Sequence, residues 1–473
     1  MSFPESQYDV VLLYPPAEIV REQWDEPNFP ALGIAYIGNY LEQKGGITPA
    51  LIDGRLSRFS IQDTVNQIVA LKPKILGIGA MTHMVLTAEK IIAEVKKTIP
   101  DIRIVLGGFH ASFLPERTMR EFPQVDFIVI GEGEMAFLDL VNSLLNNQNF
   151  EKINGIGFRK EGQVIINGSG NVPDTLDELG EPGWHLFDQE TIHRYVTLLP
   201  VMGQRGCPFD CNFCSRPYGK LVRQRTPELI LNEIQKNSER YGVNIIRFED
   251  ETFSVDRRHT MELCKEFIKR KPSMNISWSC LVHANTVDEE LIHQMKEAGC
   301  SYVGFGVESG DEEIIKNMKK GVTKKRIIRA RRLLEAGGLT TLCFFIIGHP
   351  HETRKSIWNS IKFMVQLNAD ETAIGIMVPY PGTETWDLAR QGIGGYKRLS
   401  NNWSDYNKQI GNAVELEGIS RKEMEFYQLL GYFLIYFINF RFVSMFKQIF
   451  KQYSLITEII SKMIRSLAFP RKT

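Results

Sequence analysis

The run Gly206-Cys207-Pro208-Phe209-Asp210-Cys211-Asn212-Phe213-Cys214-Ser215 decides how the rest of this chain is read. Its cysteines stand as C-x3-C-x2-C, with no fourth cysteine close behind. A cubane iron–sulfur cluster holds four irons and is ordinarily bound by four thiolates. With one thiolate fewer, one iron stays open, and an open coordination position is where metal centres do chemistry. The competing readings are a zinc knot or buried free thiols. Zinc knots set a C-x2-C pair against a second pair or against histidines, and the neighbouring sequence supplies neither. The spacing therefore favours a four-iron (4Fe-4S) cluster on Cys207, Cys211 and Cys214.

Upstream of the loop, YVTLLPVMGQRG reads as a strand that delivers the cysteines from its carboxyl end. Downstream, β-branched runs alternate with helical patterns, and VNIIRFEDETF, ISWSCLVHA, YVGFGVESG, TLCFFIIGHPHET and TAIGIMVPYPGTE each read as a strand with its exit. Strands and helices in this order, with polar or glycine-rich exits on one side, predict a partial (β/α)6 barrel over residues 191–400. Active groups belong at those exits. Asp250 and Glu251 end the second strand, where acids suit an ammonium group; a solvated or salt-bridged pair is the alternative. Glu308 and Ser309 end the fourth, where a carboxylate and a hydroxyl suit a ribose.

The cysteine loop, with aromatic Phe213 before its last cysteine, resembles the radical S-adenosylmethionine (SAM) enzymes. The resemblance implies that the open iron holds the amino and carboxylate groups of SAM. An electron from the cluster would then break a carbon–sulfur bond to give methionine and a 5′-deoxyadenosyl radical. GFGVESGDEEIIKNMKKG is similar to a recurring segment of that family, and Gly348, Glu352 and Tyr380 fall on its fifth- and sixth-strand exits. The resemblance thus implies SAM contacts from Phe213, Asp250, Glu251, Glu308, Ser309, Gly348, Glu352 and Tyr380. His283 and Asn285 replace the arginine and aspartate of the third-strand pattern, which makes His283 a candidate for the SAM carboxylate or for substrate.

Residues 9–140 show a different rhythm: short apolar strands closing in glycine or proline, separated by helices. This predicts a doubly wound, Rossmann-like parallel sheet over residues 1–145, with its ligand face at the carboxyl ends of the strands. No G-x-G-x-x-G fingerprint occurs, so a nicotinamide or flavin dinucleotide is poorly supported. Placed before the cysteine loop, YPP at Tyr14–Pro16, LGGFH at Leu106–His110 and GEGE at Gly131–Glu134 resemble the cobalamin-binding class of radical SAM enzymes. That implies a cobalamin face made by Pro15, Pro16, Asp53, Arg55, Thr82, Gly107, Gly108, His110, Gly131, Glu132 and Gly133. Asp53 is followed by Gly54 and Arg55, so no histidine stands where mutase-type domains ligate cobalt, and neither His83 nor His110 is assigned a cobalt bond.

Residues 146–190 read as a linker with a small hairpin, and residues 401–473 as a helical C-terminal region. FYQLLGYFLIYFINF (Phe426–Phe440) is almost uniformly apolar but short for a membrane span, which needs about 20 residues. Residues 441–473 carry seven basic side chains against one acid, Glu458. A helical cap on the barrel is the favoured reading, with weak liposome binding; a peripheral contact with membrane or a lipid-like substrate is the alternative.

Over 473 residues, Lys plus Arg equals Asp plus Glu at 56 each, which gives no support to a nucleic-acid partner. Seven cysteines, and a start without a basic n-region and long apolar core, predict a reducing, cytoplasmic setting. Cys264, Cys280, Cys300 and Cys343 read as buried structural thiols. Taken with the resemblance, the expected function is cobalamin-dependent methylation of a weakly activated carbon, with an electron donor such as flavodoxin or ferredoxin. No catalytic side chain is assigned, because the cofactors carry the hard steps. A non-methylating ring closure, ring contraction or hydration, and a non-catalytic sensor, are the rival readings.

Overall fold

The computed structural model describes residues 8–16, 27–407 and 412–442. The first sheet is built from β1 (Val10–Tyr14), β2 (Ala50–Asp53), β3 (Ile75–Gly79), β4 (Arg103–Gly107), β5 (Phe127–Val129), β6 (Ile156–Lys160) and β7 (Gln163–Ile166). Their order is β2-β1-β3-β4-β5-β6-β7. The first five strands are parallel, in a register that sets Tyr14 beside Asp53 and Gly79 beside Gly107. Continuous apolar runs such as Val10–Leu13 suit strands covered on both faces.

The hairpin expected in the linker is instead joined to this sheet, β6 pairing antiparallel with β5 through Phe127 and Phe158. Sheet structure therefore runs past residue 145, to Ile166. The addition covers what would otherwise be a bare parallel edge.

The second sheet is wholly parallel and follows chain order: β8 (Leu199–Val201), β11 (Ile245–Phe248), β12 (Ser277–Val282), β13 (Cys300–Glu308), β14 (Thr340–Ile347) and β15 (Glu371–Ile376). Between β8 and β11 lies a short antiparallel ribbon, β9 (Gln204–Arg205) with β10 (Arg223–Gln224). Helices such as Pro227–Tyr241, Arg257–Arg270 and Arg354–Leu367 connect the strands, making the partial barrel. Cys264, Cys280, Cys300 and Cys343 are buried in its core, as free thiols.

After the barrel, β16 (Tyr396–Leu399) and β17 (Val414–Leu416) form a small antiparallel pair, and a helix spans Arg421–Ile438. That helix lies along the edge strand β15. The Tyr432 hydroxyl accepts from the Ile374 amide (2.9 Å), and the Gln428 amide donates to the Ile374 carbonyl (2.6 Å). Side chains thus satisfy backbone groups that an edge strand leaves open. No helix among the described residues is long and apolar enough to cross a membrane.

Candidate functional site

The cysteine loop is an excursion from the β9/β10 ribbon, which fixes both of its ends. Gly206 opens it at φ +103°, and a Cβ there would strike the Leu221 backbone, so only glycine fits. Inside the loop the Cys214 amide donates to the Cys211 carbonyl, and Arg216 holds the Phe209 carbonyl and the Asp210 carboxylate.

Barrel exits meet the loop almost residue by residue. After β11, Thr252 Oγ1 lies 3.6 Å from Cys207 Sγ, and Glu251 accepts from the Gly206 amide at 2.9 Å. After β12, the His283 ring stacks on Phe209, centroids 3.7 Å apart and 12° from parallel. Beyond β13, Met318 and Asn317 carbonyls bind Asn212. His349, after β14, meets Phe213 edge-on at 5.8 Å. Past β15, Thr385 donates to the Asn212 carbonyl through both amide and hydroxyl.

Several buried polar atoms around this loop lack a protein partner: Glu251 Oε1, Glu352 Oε1 and both nitrogens of His349. The Glu352 carboxyl is pushed up to about 8 and the His349 imidazole down to about 3, in each case chiefly by burial. The Cys211 thiol is pushed up to about 12 by burial, opposed by nearby Lys320. Lys320 itself forms a buried ion pair with Glu308 at 2.6 Å. Unpartnered buried groups carry a desolvation cost, and they collect where a polar ligand supplies the missing bonds. Among the described residues, no three metal-ligating side chains converge as on a single ion. The thiols of Cys207, Cys211 and Cys214 could hold a larger cluster, whose ligands sit on separate corners.

On the first domain, the strand-end face is largely bare backbone. A Cβ on Gly131 (φ +78°) would meet no atom within 4 Å, and one on Gly107 would make only ordinary contacts. These glycines leave a shallow surface that could take a flat, bulky group such as cobalamin. Gly108 (φ +91°) serves the fold instead, since a Cβ there would lie 2.6 Å from the Ala80 carbonyl oxygen.

This face is tied to the cysteine loop. Arg205, immediately before Gly206, forks onto Glu132 and Glu134, both at 2.6 Å and buried. Arg223 also pairs with Glu132. On the other side, the Phe113 ring fills the space beside Gly382 at the β15 exit. Both domains therefore bracket one loop.

Several of the candidate residues are already engaged by the fold. Asp250 spends one oxygen on the Gly203 and Gln204 amides (2.7 and 3.1 Å), so it holds the turn after β8, with burial raising its carboxyl to about 7. Glu251 spends one oxygen on the Gly206 amide, and its other, Oε1, is buried without a protein partner. His283 is held at both nitrogens, by the Lys320 carbonyl and the Asn285 amide, and burial lowers it to about 4. A neutral ring so engaged is a poor anchor for a carboxylate. Ser309 bonds to Ser360 and the Asp311 amide. On the first domain, Asp53 accepts from the Ala31 and Leu56 amides, and Arg55 binds the Phe29 carbonyl. Glu132 is taken by the arginine fork. His110 is fully buried, its ring centroid 4.6 Å from that of Trp403.

Pro15, Pro16 and Thr82 are buried at strand ends, and Gly133 packs beneath Ile37. Gly348 (φ +105°) has its amide held by Glu352 and its carbonyl by Tyr396, while Tyr380 is half-buried beside the loop that ends at Thr383. The sequence reading missed Arg205, Thr252, Lys320, His349 and Thr385 as loop contacts. Arg205, Thr252, Lys320 and His349 lie inside segments already singled out; Thr385 falls one residue beyond the last of them.

A radical SAM superfamily domain matches residues 201–364, and a B12 binding domain matches residues 26–141. An uncharacterized methyltransferase of Pyrococcus horikoshii is 30% identical over 461 residues, covering 97% of each chain. An anaerobic magnesium-protoporphyrin IX monomethyl ester cyclase of Rubrivivax gelatinosus is 28% identical, covering 75% of this chain and 65% of its own. Among solved structures, the radical SAM methyltransferase TsrM from Kitasatospora setae, with cobalamin and an iron–sulfur cluster bound, superposes at a TM-score of 0.69. That pair shares 17% identity over 87% of this chain and 84% of TsrM, a likeness of fold. With both domains present in order and a relative matched along almost its whole length, the chain belongs to the B12-binding radical SAM enzymes.

Proposed function

We propose that this enzyme carries a methyl group from SAM, by way of cobalamin, to a weakly activated carbon of a small-molecule substrate. The observation that carries the reading is the bracketed loop: Arg205 ties the cysteine run to the B12-binding domain, while the barrel exits close around it. The full-length relative named as a methyltransferase supports it. When bound, the cluster would supply the reducing electron and cobalamin the methyl carriage. Cys207, Cys211 and Cys214 would hold the cluster. Glu251 Oε1 would accept from the SAM ammonium, and Gly348, His349 and Glu352 would line the adenine side. The open backbone at Gly107 and Gly131 would carry cobalamin without a lower histidine.

A flavodoxin- or ferredoxin-like donor would reduce the cluster, in a cytoplasmic setting, and a lipid-like acceptor fits the apolar C-terminal helix. Non-methylating ring closure, the activity in the name of the Rubrivivax relative, is the second reading.

Product analysis separates them. Reduced, cobalamin-loaded protein given methyl-labelled SAM and an extract of the source cells should release S-adenosylhomocysteine and 5′-deoxyadenosine together, with label in a product. Cleavage of SAM without any homocysteine product would replace methyl transfer by ring closure. Cys211→Ala should lose the cluster absorbance and both products; turnover by that variant would remove the loop from the chemistry.

A further inference from the structure

The helix Arg421–Ile438 has two apolar faces, and the barrel covers one. Met424, Gly431 and Ile435 are buried, with Gly431 close against Ile374 and Met364. Phe426, Leu429, Phe433 and Phe437 follow one another at steps of three, four and four residues, which aligns them in a stripe on the opposite side. Each is 39–58% exposed, and Phe440 beyond the helix is 82% exposed. The stripe is continuous: Phe433 and Phe437 stack at 5.2 Å, and Phe442 sits edge-on to Phe437 and Phe440. A contiguous exposed aromatic surface of this kind marks an interaction site.

The adjoining sequence indicates the partner. Residues 443–473 contain Lys447, Lys451, Lys462, Arg465, Arg471 and Lys472 against Glu458 alone, in a chain whose charges balance overall. Protein interfaces bury aromatic residues but are depleted of lysine at their core. Aromatic stripes flanked by lysine and arginine suit the headgroup boundary of an anionic bilayer, where rings enter the acyl edge and cations meet phosphate. We infer that the Phe426–Phe440 stripe and the basic segment after it dock this enzyme on an anionic lipid surface.

The test uses the full chain. Wild-type protein should sediment with phosphatidylcholine vesicles containing a third phosphatidylglycerol. At least tenfold less should bind to pure phosphatidylcholine, and 0.5 M salt should release most of what binds. Phe433→Ser/Phe437→Ser/Phe440→Ser, changed only at exposed positions, should stay in the supernatant while keeping its iron content and melting temperature. Wild-type protein that stays in the supernatant with anionic vesicles would overturn the inference. So would equal sedimentation of the triple variant. A stripe that serves instead as a contact between copies would appear as a concentration-dependent dimer, abolished in the triple variant, with no lipid binding; that too would overturn it.

Discussion

The two strand-end faces that meet at the cysteine loop are built on opposite plans. On the barrel face, charged and polar side chains stand with atoms to spare, as at Glu251, Glu352 and His349. On the first-domain face, the charged groups are already committed: Asp53 to backbone amides, Arg55 to the Phe29 carbonyl and Glu132 to arginine. What stays open there is glycine backbone, with the unpartnered nitrogens of His110 sealed beneath it against Phe122 and Trp403. The ligands implied by the family explain the contrast. SAM carries a cation and a carboxylate and is recognised through charge, whereas cobalamin is broad and needs close approach over a large area.

The comparison breaks first at the adjacent acids after β11. Glu251→Gln should weaken SAM binding about tenfold or more, since a hydrogen bond to a charged group is worth about 1.5–3 kcal/mol, with the melting temperature nearly kept. Asp250→Ala should do the reverse. It strips partners from the buried Gly203 and Gln204 amides and should cost about 1–3 kcal/mol for each. Equilibrium dialysis with SAM and thermal melts on both variants decide the matter. If Asp250→Ala lost SAM affinity at unchanged stability, the assignments of the two acids would exchange.

A sharper and smaller effect is expected at Gly131. Alanine there meets no neighbour, so its cost is left-handed backbone strain of about 1–2 kcal/mol. Cobalamin retention should nonetheless fall severalfold, because the new methyl stands on the open face. Gly108→Ala should damage folding instead, and His110→Phe should leave cobalamin retention unaltered because His110 is sealed among Phe122 and Trp403. Loss of cobalamin on changing His110, with Gly131→Ala neutral, would mean that side chains and not backbone make that face.

The same contrast explains what the sequence could and could not reveal. The sheets were legible because apolar runs ending in glycine, proline or acid report both a strand and its direction. The cysteine loop was legible because three thiols at fixed spacing have few other uses. Individual roles were harder. A carboxylate at a strand end reads alike whether it meets a ligand, as proposed for Glu251, or two amides of the neighbouring turn after β8, as Asp250 does. His283 and Ser309 look like ligands in one dimension and are engaged by the Lys320 carbonyl and Ser360 in three. The hairpin at β6 and β7 was visible, but its attachment to β5 depends on an edge formed elsewhere in the chain. The fork from Arg205 to Glu132 and Glu134 joins residues about seventy positions apart, and no local pattern encodes it.

A pH-dependent test concerns Glu352, where the barrel face departs from its own rule. Glu251 keeps one oxygen on an amide beside the open site, whereas Glu352 is fully enclosed and held near pH 8 by burial, with Asp311 adding to the rise. An ordinary glutamate titrates near 4.3. Below about pH 4 the carboxyl is protonated in folded and unfolded chains alike, and its contribution to stability is complete. Between there and pH 8 the unfolded chain releases the proton while the folded chain keeps it. Stability is therefore lost as pH rises through this window, by at most about 1.4 kcal/mol per unit. Glu352→Gln removes the titration while keeping an acceptor for the Gly348 and His349 amides. The variant should melt only slightly below wild type at pH 6, and the gap should close or reverse by pH 8, with Asp250 leaving a residual slope of the same sign in both. Parallel melting curves for the two proteins across that range would show that Glu352 is ionised in the folded chain. It would then belong with Glu251 as a charged group facing the ligand.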